Sequence, residues 1–286
     1  MNNPLVSIIL PVYNGSRYIS ESIESCLTQS YKNIELIIVD DHSTDDTPKI
    51  IAKYKSSDER VSIITHGINK KLPTALNTGH NAAKGEIFTW TSDDNMFLPG
   101  AIAKMVEVIN SKQEIDIVFA DMDKIDDKSG VICRVTTGPV EELPIMNLIG
   151  ACFLYRRSVF MNIKGYNESL FGVEDYDFWL KCYNFSHKFA KVNESLYLYR
   201  VHSNSLSEKR QREINNATIQ IVLENNKAND DKIPEDIRVR SYLKATRLAM
   251  NNNDKELARF CYQRALEISP DAPSFTYQSL IDYATL

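Results

Sequence analysis

Through its first half the chain alternates short apolar runs with segments whose apolar residues recur every three or four positions. Leu5-Val6-Ser7-Ile8-Ile9-Leu10 is apolar, partly β-branched and stopped by Pro11, which predicts a buried strand. Ile19, Ile23, Cys26 and Leu27 follow at helical spacing. Ile34 to Val39 repeats the strand pattern and runs into Asp40-Asp41-His42-Ser43. The next helix has Asp46 or Thr47 as N-cap and Pro48 in its first turn, with Ile50, Ile51 and Tyr54 on its inner face. Val61 to Ile64 predicts a third strand, and Ala75, Leu76, Gly79, Ala82 and Ala83 a third helix. Ile87 to Thr91 predicts a fourth strand, broken by Ser92-Asp93-Asp94-Asn95. Pro99 then starts a fourth helix with Ile102, Met105, Val106 and Ile109 inward, and Ile115 to Ala120 forms a further strand.

Strand alternating with helix predicts an α/β fold, a mostly parallel sheet with helices on both faces. Tyr13-Asn14, Asp40-Asp41 and Asp93-Asp94 follow three of the strands, so all three clusters should emerge on one sheet edge. Open α/β sheets bind their ligands at that edge. The adjacent carboxylates of Asp93 and Asp94 repel each other, a cost that a hard divalent ion with positions open for phosphate oxygens relieves. Residues 121–208 are less regular and richer in Tyr, Arg and Gly, which suits a substrate-facing half. From about Arg210 the sequence is Asn-rich and helical. Ala258 to Pro270 looks like the second helix of a tetratricopeptide unit, without a second copy, and is read as part of a helical appendage.

Composition narrows the partners. A net charge of −5 argues against nucleic acid, whose phosphates need a basic surface. No run approaches the ~18 apolar residues of a membrane helix, and the N-terminus lacks a basic-then-apolar signal. The five cysteines are odd in number and share no Cys-x-x-Cys spacing, which fits a reducing cytoplasm without a zinc site or disulfide frame.

Four ordered segments carry a resemblance: Pro11-Val12-Tyr13-Asn14, Val39-Asp40-Asp41-His42-Ser43-Thr44-Asp45, Ser92-Asp93-Asp94, and Gly172-Val173-Glu174-Asp175-Tyr176-Asp177-Phe178-Trp179. Arg200-Val201-His202, with Asn204 and Ser205, is a fifth. Together they resemble the inverting family 2 glycosyltransferases of the GT-A fold, over residues 5–205. The Thr91 to Asn95 stretch looks close to SpsA-like spore-coat members. The resemblance implies a GT-A domain over residues 1–208, with a nucleotide-binding half (1–120) and an acceptor half (121–208), and a helical appendage over 209–286.

It also implies roles. Pro11, Val12, Tyr13, Asn14, Asp41, Lys71, Asp93, Arg200 and Ser205 would bind the nucleotide-sugar. Tyr13 would stack on the base and Asp41 accept from uracil N3–H, a pairing that suits an amphipathic ring. Asp93 would contact ribose, while Asp94 and His202 ligate Mn²⁺ or Mg²⁺. Arg200 and Ser205 would reach the diphosphate. Asp175 would be the general base, with Glu174 and Gly150 at the acceptor. Many relatives carry a further Asp where this chain has Thr91.

Each residue also has a plainer reading. Tyr13-Asn14 could be a strand-ending turn, Asp40-Asp41 and Glu174-Asp175 acids complementing helix N-termini, Lys71 a solvated lysine, and His202 a packed histidine. Cys152 reads better as a small buried residue than as a nucleophile.

The expected activity is therefore transfer of one sugar from a nucleotide-diphospho-sugar, UDP-linked, to a glycan or lipid-linked hydroxyl. The setting would be bacterial surface polysaccharide assembly, in the cytoplasm at the inner membrane face, with peripheral membrane contact or self-association through the C-terminal helices left open. Two alternatives stand beside it. A sugar-nucleotide-forming nucleotidyltransferase would share the fold but would normally show a Gly-rich loop, where Pro11 to Gly15 has one Gly. A non-catalytic scaffold would act through the C-terminal helices.

Overall fold

In the computed structural model, residues 3–203, 205 and 209–270 are described. Asn204 and residues 271–286, which the sequence reading assigned to the fifth motif and to the appendage, lie outside them.

The apolar runs become the sheet's centre because both of their faces must be covered. β1 (Val6–Val12) is buried at every position and lies between β2 (Ile34–Asp40) and β4 (Ile87–Trp90), parallel to both. β3 (Val61–Thr65) closes that edge, parallel to β2. Helices α1 (Ile19–Leu27), α2 (Thr47–Ser57) and α3 (Leu72–Ala82) are the crossovers. The parallel half thus follows the predicted pattern. All three polar clusters lie at or just beyond the carboxyl ends of β1, β2 and β4.

Beyond β4 the sheet is mixed. After the short β5 (Met96–Phe97) and α4 (Ala101–Ser111), the chain lays down β6 (Ile117–Ile125), β7 (Val131–Val135), β8 (Phe153–Arg156), α5 (Arg157–Ile163) and, after a further helix, β9 (Phe189–Arg200). The nine-stranded sheet has the order β3-β2-β1-β4-β8-β6-β9-β5, with β7 paired to β6 off this path. β8 is antiparallel to both β4 and β6, and β5 is antiparallel to β9. α4 begins later than Pro99 suggests. Gly100 sits at φ +82° as its N-cap, a conformation a side chain would strain, and the helix starts at Ala101.

Two apolar clusters cover the two faces of the sheet. One gathers Ile8, Leu10, Ile23, Ile38, Ile102 and Met105. The other gathers Ile9, Val39, Phe88, Phe153 and Trp179, and continues without a break into Ile219, Val222 and Ala249. The last three belong to α7 (Gln211–Ala228) and α8 (Glu235–Asn251), which α9 (Lys255–Ile268) follows. The C-terminal helices are therefore packed into the main core. Asn184 of α6 (Glu174–Asn184) donates to Asn225 of α7 at 2.8 Å, and Arg240 of α8 pairs with Glu142 at 2.7 Å.

Candidate active site

The β1 end supplies two very different kinds of residue. Pro11 and Val12 are buried in the sheet, and the Val12 carbonyl accepts from the Asp41 amide at 2.8 Å. Tyr13 is 52 % exposed, an unusual amount for an aromatic ring at a strand terminus. Asn14, at φ +55°, ties this turn to the next one: its Oδ1 accepts from the Thr44 amide at 2.8 Å, and its amide donates to Ser43 Oγ at 2.9 Å.

Asp40 and Asp41 end β2 buried. Asp40 Oδ1 accepts from the Ser43 amide at 3.0 Å. The Asp41 carboxylate accepts from His66 Nδ1 at 2.7 Å and from the amides of Lys70 and Lys71, both at 2.8 Å. His66 Nε2 lies 3.0 Å from Thr78 Oγ1, which fixes the ring from its other side. Asp41 therefore anchors the 66–71 loop whatever else it meets. Lys71 pays for that anchoring with φ +74° and ψ 164°, a region normally restricted to glycine.

Asp93 and Asp94 occupy the turn after β4. Burial, then the charge of Asp94, then that of Asp45, push the Asp93 carboxyl up to about 8. Burial also raises Asp94, and the His202 imidazole opposes it. His202 Nε2 lies 3.0 Å from Asp94 Oδ2, joining residues 108 apart in sequence. Asp45 behaves oppositely. Its burial favours a raised value, but hydrogen bonds from Thr47 and Ser16 outweigh it and bring the carboxyl down to about 2. Thr91 is fully buried with its hydroxyl 2.6 Å from the Tyr197 hydroxyl.

Asp94 and His202 make a carboxylate and imidazole donor set that suits Mn²⁺ or Mg²⁺. Among the described residues no group of three His, Cys, Asp or Glu is placed to hold a metal. The pair fits an ion that takes its other ligands from phosphate and water.

Arg200 and Ser205, both expected at the diphosphate, are engaged within the protein. The Arg200 guanidinium is 1 % exposed, and each of its nitrogens meets a protein acceptor. The Ser205 hydroxyl donates to the His202 carbonyl at 2.7 Å, closing the turn after that histidine.

At the start of α6, Glu174 is buried and accepts from the Gly172 amide at 2.6 Å. Burial and the neighbouring Asp175 push it up to about 7. Burial raises Asp175 as well, against hydrogen bonds from the Tyr176 amide and from Asn147 Nδ2 at 2.8 Å. Gly172, at φ +87°, lets Ile214 of α7 approach, and Arg210 lies over the Phe171 ring at 4.8 Å. The appendage thus braces the loop that leads into the helix carrying Asp175. Gly150, at φ +72°, lies against Thr137.

Sequence reasoning missed Gly15 and Asn147. A Cβ on Gly15 would fall 1.9 Å from Asp93 Oδ2, so the carboxylate occupies the space that glycine leaves. Its position after Tyr13-Asn14 was a signal. Asn147 gave none, being 28 residues from its partner.

A family model described as Glycosyl transferase family 2 matches residues 7–164. This chain belongs to that family. An uncharacterized glycosyltransferase of Rickettsia prowazekii is 34 % identical over 212 residues, covering 70 % of this chain and 65 % of its own length. The chain therefore spans just under two thirds of that relative. Among solved structures, the mannosyltransferase PcManGT from Pyrobaculum calidifontis, in complex with GDP-Man and Mn²⁺, matches with a TM-score of 0.66 at 17 % identity. That match covers 100 % of this chain and 80 % of the other. TarS 1–349 of S. aureus in complex with UDP matches at TM-score 0.61 and 17 % identity, covering 94 % and 92 %. These likenesses show the GT-A fold, and the matching family model places the chain in glycosyl transferase family 2.

Proposed function

We propose that this chain is an inverting, metal-dependent glycosyltransferase, moving a sugar from a UDP-sugar to a hydroxyl of a glycan or lipid-linked acceptor. The role would lie in bacterial surface polysaccharide assembly, at the inner membrane face. The observation that carries the reading is the pairing of Asp94 with His202 at 3.0 Å, at the same sheet edge as the exposed Tyr13 ring and the Asp93 carboxyl.

In this reading Tyr13 stacks on the base, with Asp41 and Lys71 beside it and Asp93 at the ribose. Asp94 and His202 hold Mn²⁺ or Mg²⁺, which when bound neutralises the departing diphosphate as a Lewis acid. Asp175 takes the proton of the acceptor hydroxyl as that oxygen attacks the anomeric carbon. A carboxylate raised by burial is a better base than one in water, and Asn147 fixes its direction. Glu174 and Gly150 border the acceptor. A single displacement of this kind inverts configuration and needs no nucleophile from the protein.

Hydrolysis of UDP-, GDP- and dTDP-sugars with Mn²⁺ tests the donor, since slow hydrolysis needs no acceptor. UDP-sugars alone should be consumed, and turnover of GDP-sugars only would remove the uridine assignment. Asp175→Asn should abolish transfer and leave UDP affinity nearly intact. Normal turnover in that variant would remove Asp175 as the base.

A further inference from the structure

Arg200 is the last residue of β9, and each nitrogen of its buried guanidinium meets an acceptor. Nε donates to the main-chain oxygen of Asp94 at 3.0 Å. One terminal nitrogen donates to the main-chain oxygens of Asp126 and Asp127 at 3.1 and 3.3 Å, and to Ser129 Oγ at 3.1 Å. The other donates to Glu21 Oε2 at 2.8 Å, while the Arg200 amide donates to Asn95 Oδ1 at 2.8 Å. One side chain thereby ties α1, the acidic turn, the β6–β7 turn and the end of β9.

Tyr18 completes the arrangement. Its ring lies 4.5 Å from the Arg200 guanidinium and 4.7 Å from that of Arg17. Its hydroxyl donates to Asp127 Oδ1 at 3.2 Å, the carboxylate that Arg17 also pairs with. The same ring stands 5.2 Å from the His202 ring, tilted by 49°.

Asp94 and His202 both stand on irregular backbone, one in a turn and the other just past a strand. Burying a permanent cation is costly unless its donors are matched, and the planar guanidinium is the side chain that can serve acceptors on several segments at once. We propose that Arg200 and Tyr18 are positioning residues that hold Asp94 and His202 in register for one divalent cation. Arg200 fixes the main chain of Asp94, and Tyr18 limits rotation of the His202 ring. The purpose of the cation rests on the proposed function, whereas the positioning does not.

The test uses the full chain with two readouts. In the metal-free protein, ¹⁵N NMR of the His202 imidazole reports its tautomer, expected to be the Nε2–H form that donates to Asp94. With UDP present, calorimetry reports Mn²⁺ affinity. Tyr18→Leu should mix the tautomers and weaken Mn²⁺ by roughly 10- to 100-fold, the range for partners that orient metal ligands. Tyr18→Phe keeps the ring and should restore both readouts. Arg200→Lys, whose ammonium cannot span the same acceptors, should behave like Tyr18→Leu. An unchanged tautomer in Tyr18→Leu, even with a lower melting temperature, overturns the proposal. Failure of the unsubstituted protein to bind Mn²⁺ with UDP would instead defeat the donor reading, and the tautomer would still decide the positioning.

Discussion

Substituting Gly15 by alanine should separate stability from donor binding. The new Cβ would lie 1.9 Å from Asp93 Oδ2 and 2.7 Å from Val12 Cγ2. Both obstacles are ends of side chains, and Gly15 is absent from the residues held at positive φ, so the backbone accepts alanine. Asp93 must swing away, its oxygen retreating by roughly 1 Å to reach a tolerable contact. The stability cost is at most the ~1–3 kcal/mol of overpacking, offset by ~0.4–1 kcal/mol from a less flexible unfolded chain. The melting temperature should therefore stay within about 5 °C. A misplacement of ~1 Å in a positioning group can cost about 100-fold in rate, and donor hydrolysis per unit of UDP-sugar should fall by that order. The assay is donor kcat/KM with Mn²⁺, run beside thermal unfolding. Adding Asp93→Ala to Gly15→Ala should give a double variant little worse than Asp93→Ala alone, because the nearer of the two obstacles is gone and only Val12 Cγ2 remains. Wild-type kcat/KM in a folded Gly15→Ala protein would refute the placement of Asp93 at the donor.

Lys71→Gly should raise the melting temperature, because release of a strain of ~1–3 kcal/mol outweighs the ~0.5–1 kcal/mol of added unfolded-chain freedom. UDP affinity measured by calorimetry should fall in the same variant, and a melting temperature that does not rise would deny the strain. Glu174→Gln should stabilise the protein at alkaline pH. The folded carboxyl, pushed up to about 7, holds its proton more tightly than at its ordinary value of 4.5. Stability present below pH 4.5 is then lost as pH rises through 7, and the amide escapes that loss. The gap in melting temperature between variant and parent should widen from pH 4.5 to pH 8, and a constant gap would sink this account.

The parallel half was legible because each of its strands is a short, mostly apolar run that ends in polar residues. Val6 to Val12, Ile34 to Asp40 and Ile87 to Trp90 leave little choice of burial, and their polar ends had to share an edge once the strands were parallel. The antiparallel half gave no such signal. β5 has two residues, β7 is mostly exposed, and β9 mixes Lys, Asn and Glu into its first half. Their places are set by pairing partners far along the chain, which no local period encodes. The C-terminal helices were legible as helices, but Ile219 and Val222 joining the Trp179 cluster was not, since amphipathic faces do not name their partners.

Side-chain roles divide along the same physical line. A residue type at a strand end states what chemistry is available, and so Asp93 and Asp94 could be singled out from sequence, while His202 and Asp175 were reached through the family resemblance. It does not state which of its atoms are already engaged. Arg200 illustrates the difference: a fork of charged donors suits phosphate and suits a set of main-chain carbonyls equally well. The choice was made by the β6–β7 turn, whose Asp126 and Asp127 carbonyls reach the guanidinium only because β6 and β9 run side by side. Asp41 repeats the point, with three donors from the 66–71 loop already on its carboxylate. Both residues are bound to neighbouring segments through charge-assisted hydrogen bonds, so substituting either should disturb the site through those segments as well as through any direct contact. Loss of donor affinity in such variants therefore assigns a residue to the ligand only when the loop it holds keeps its conformation. That is why Tyr13, exposed at the sheet edge, is the cleaner probe of the base.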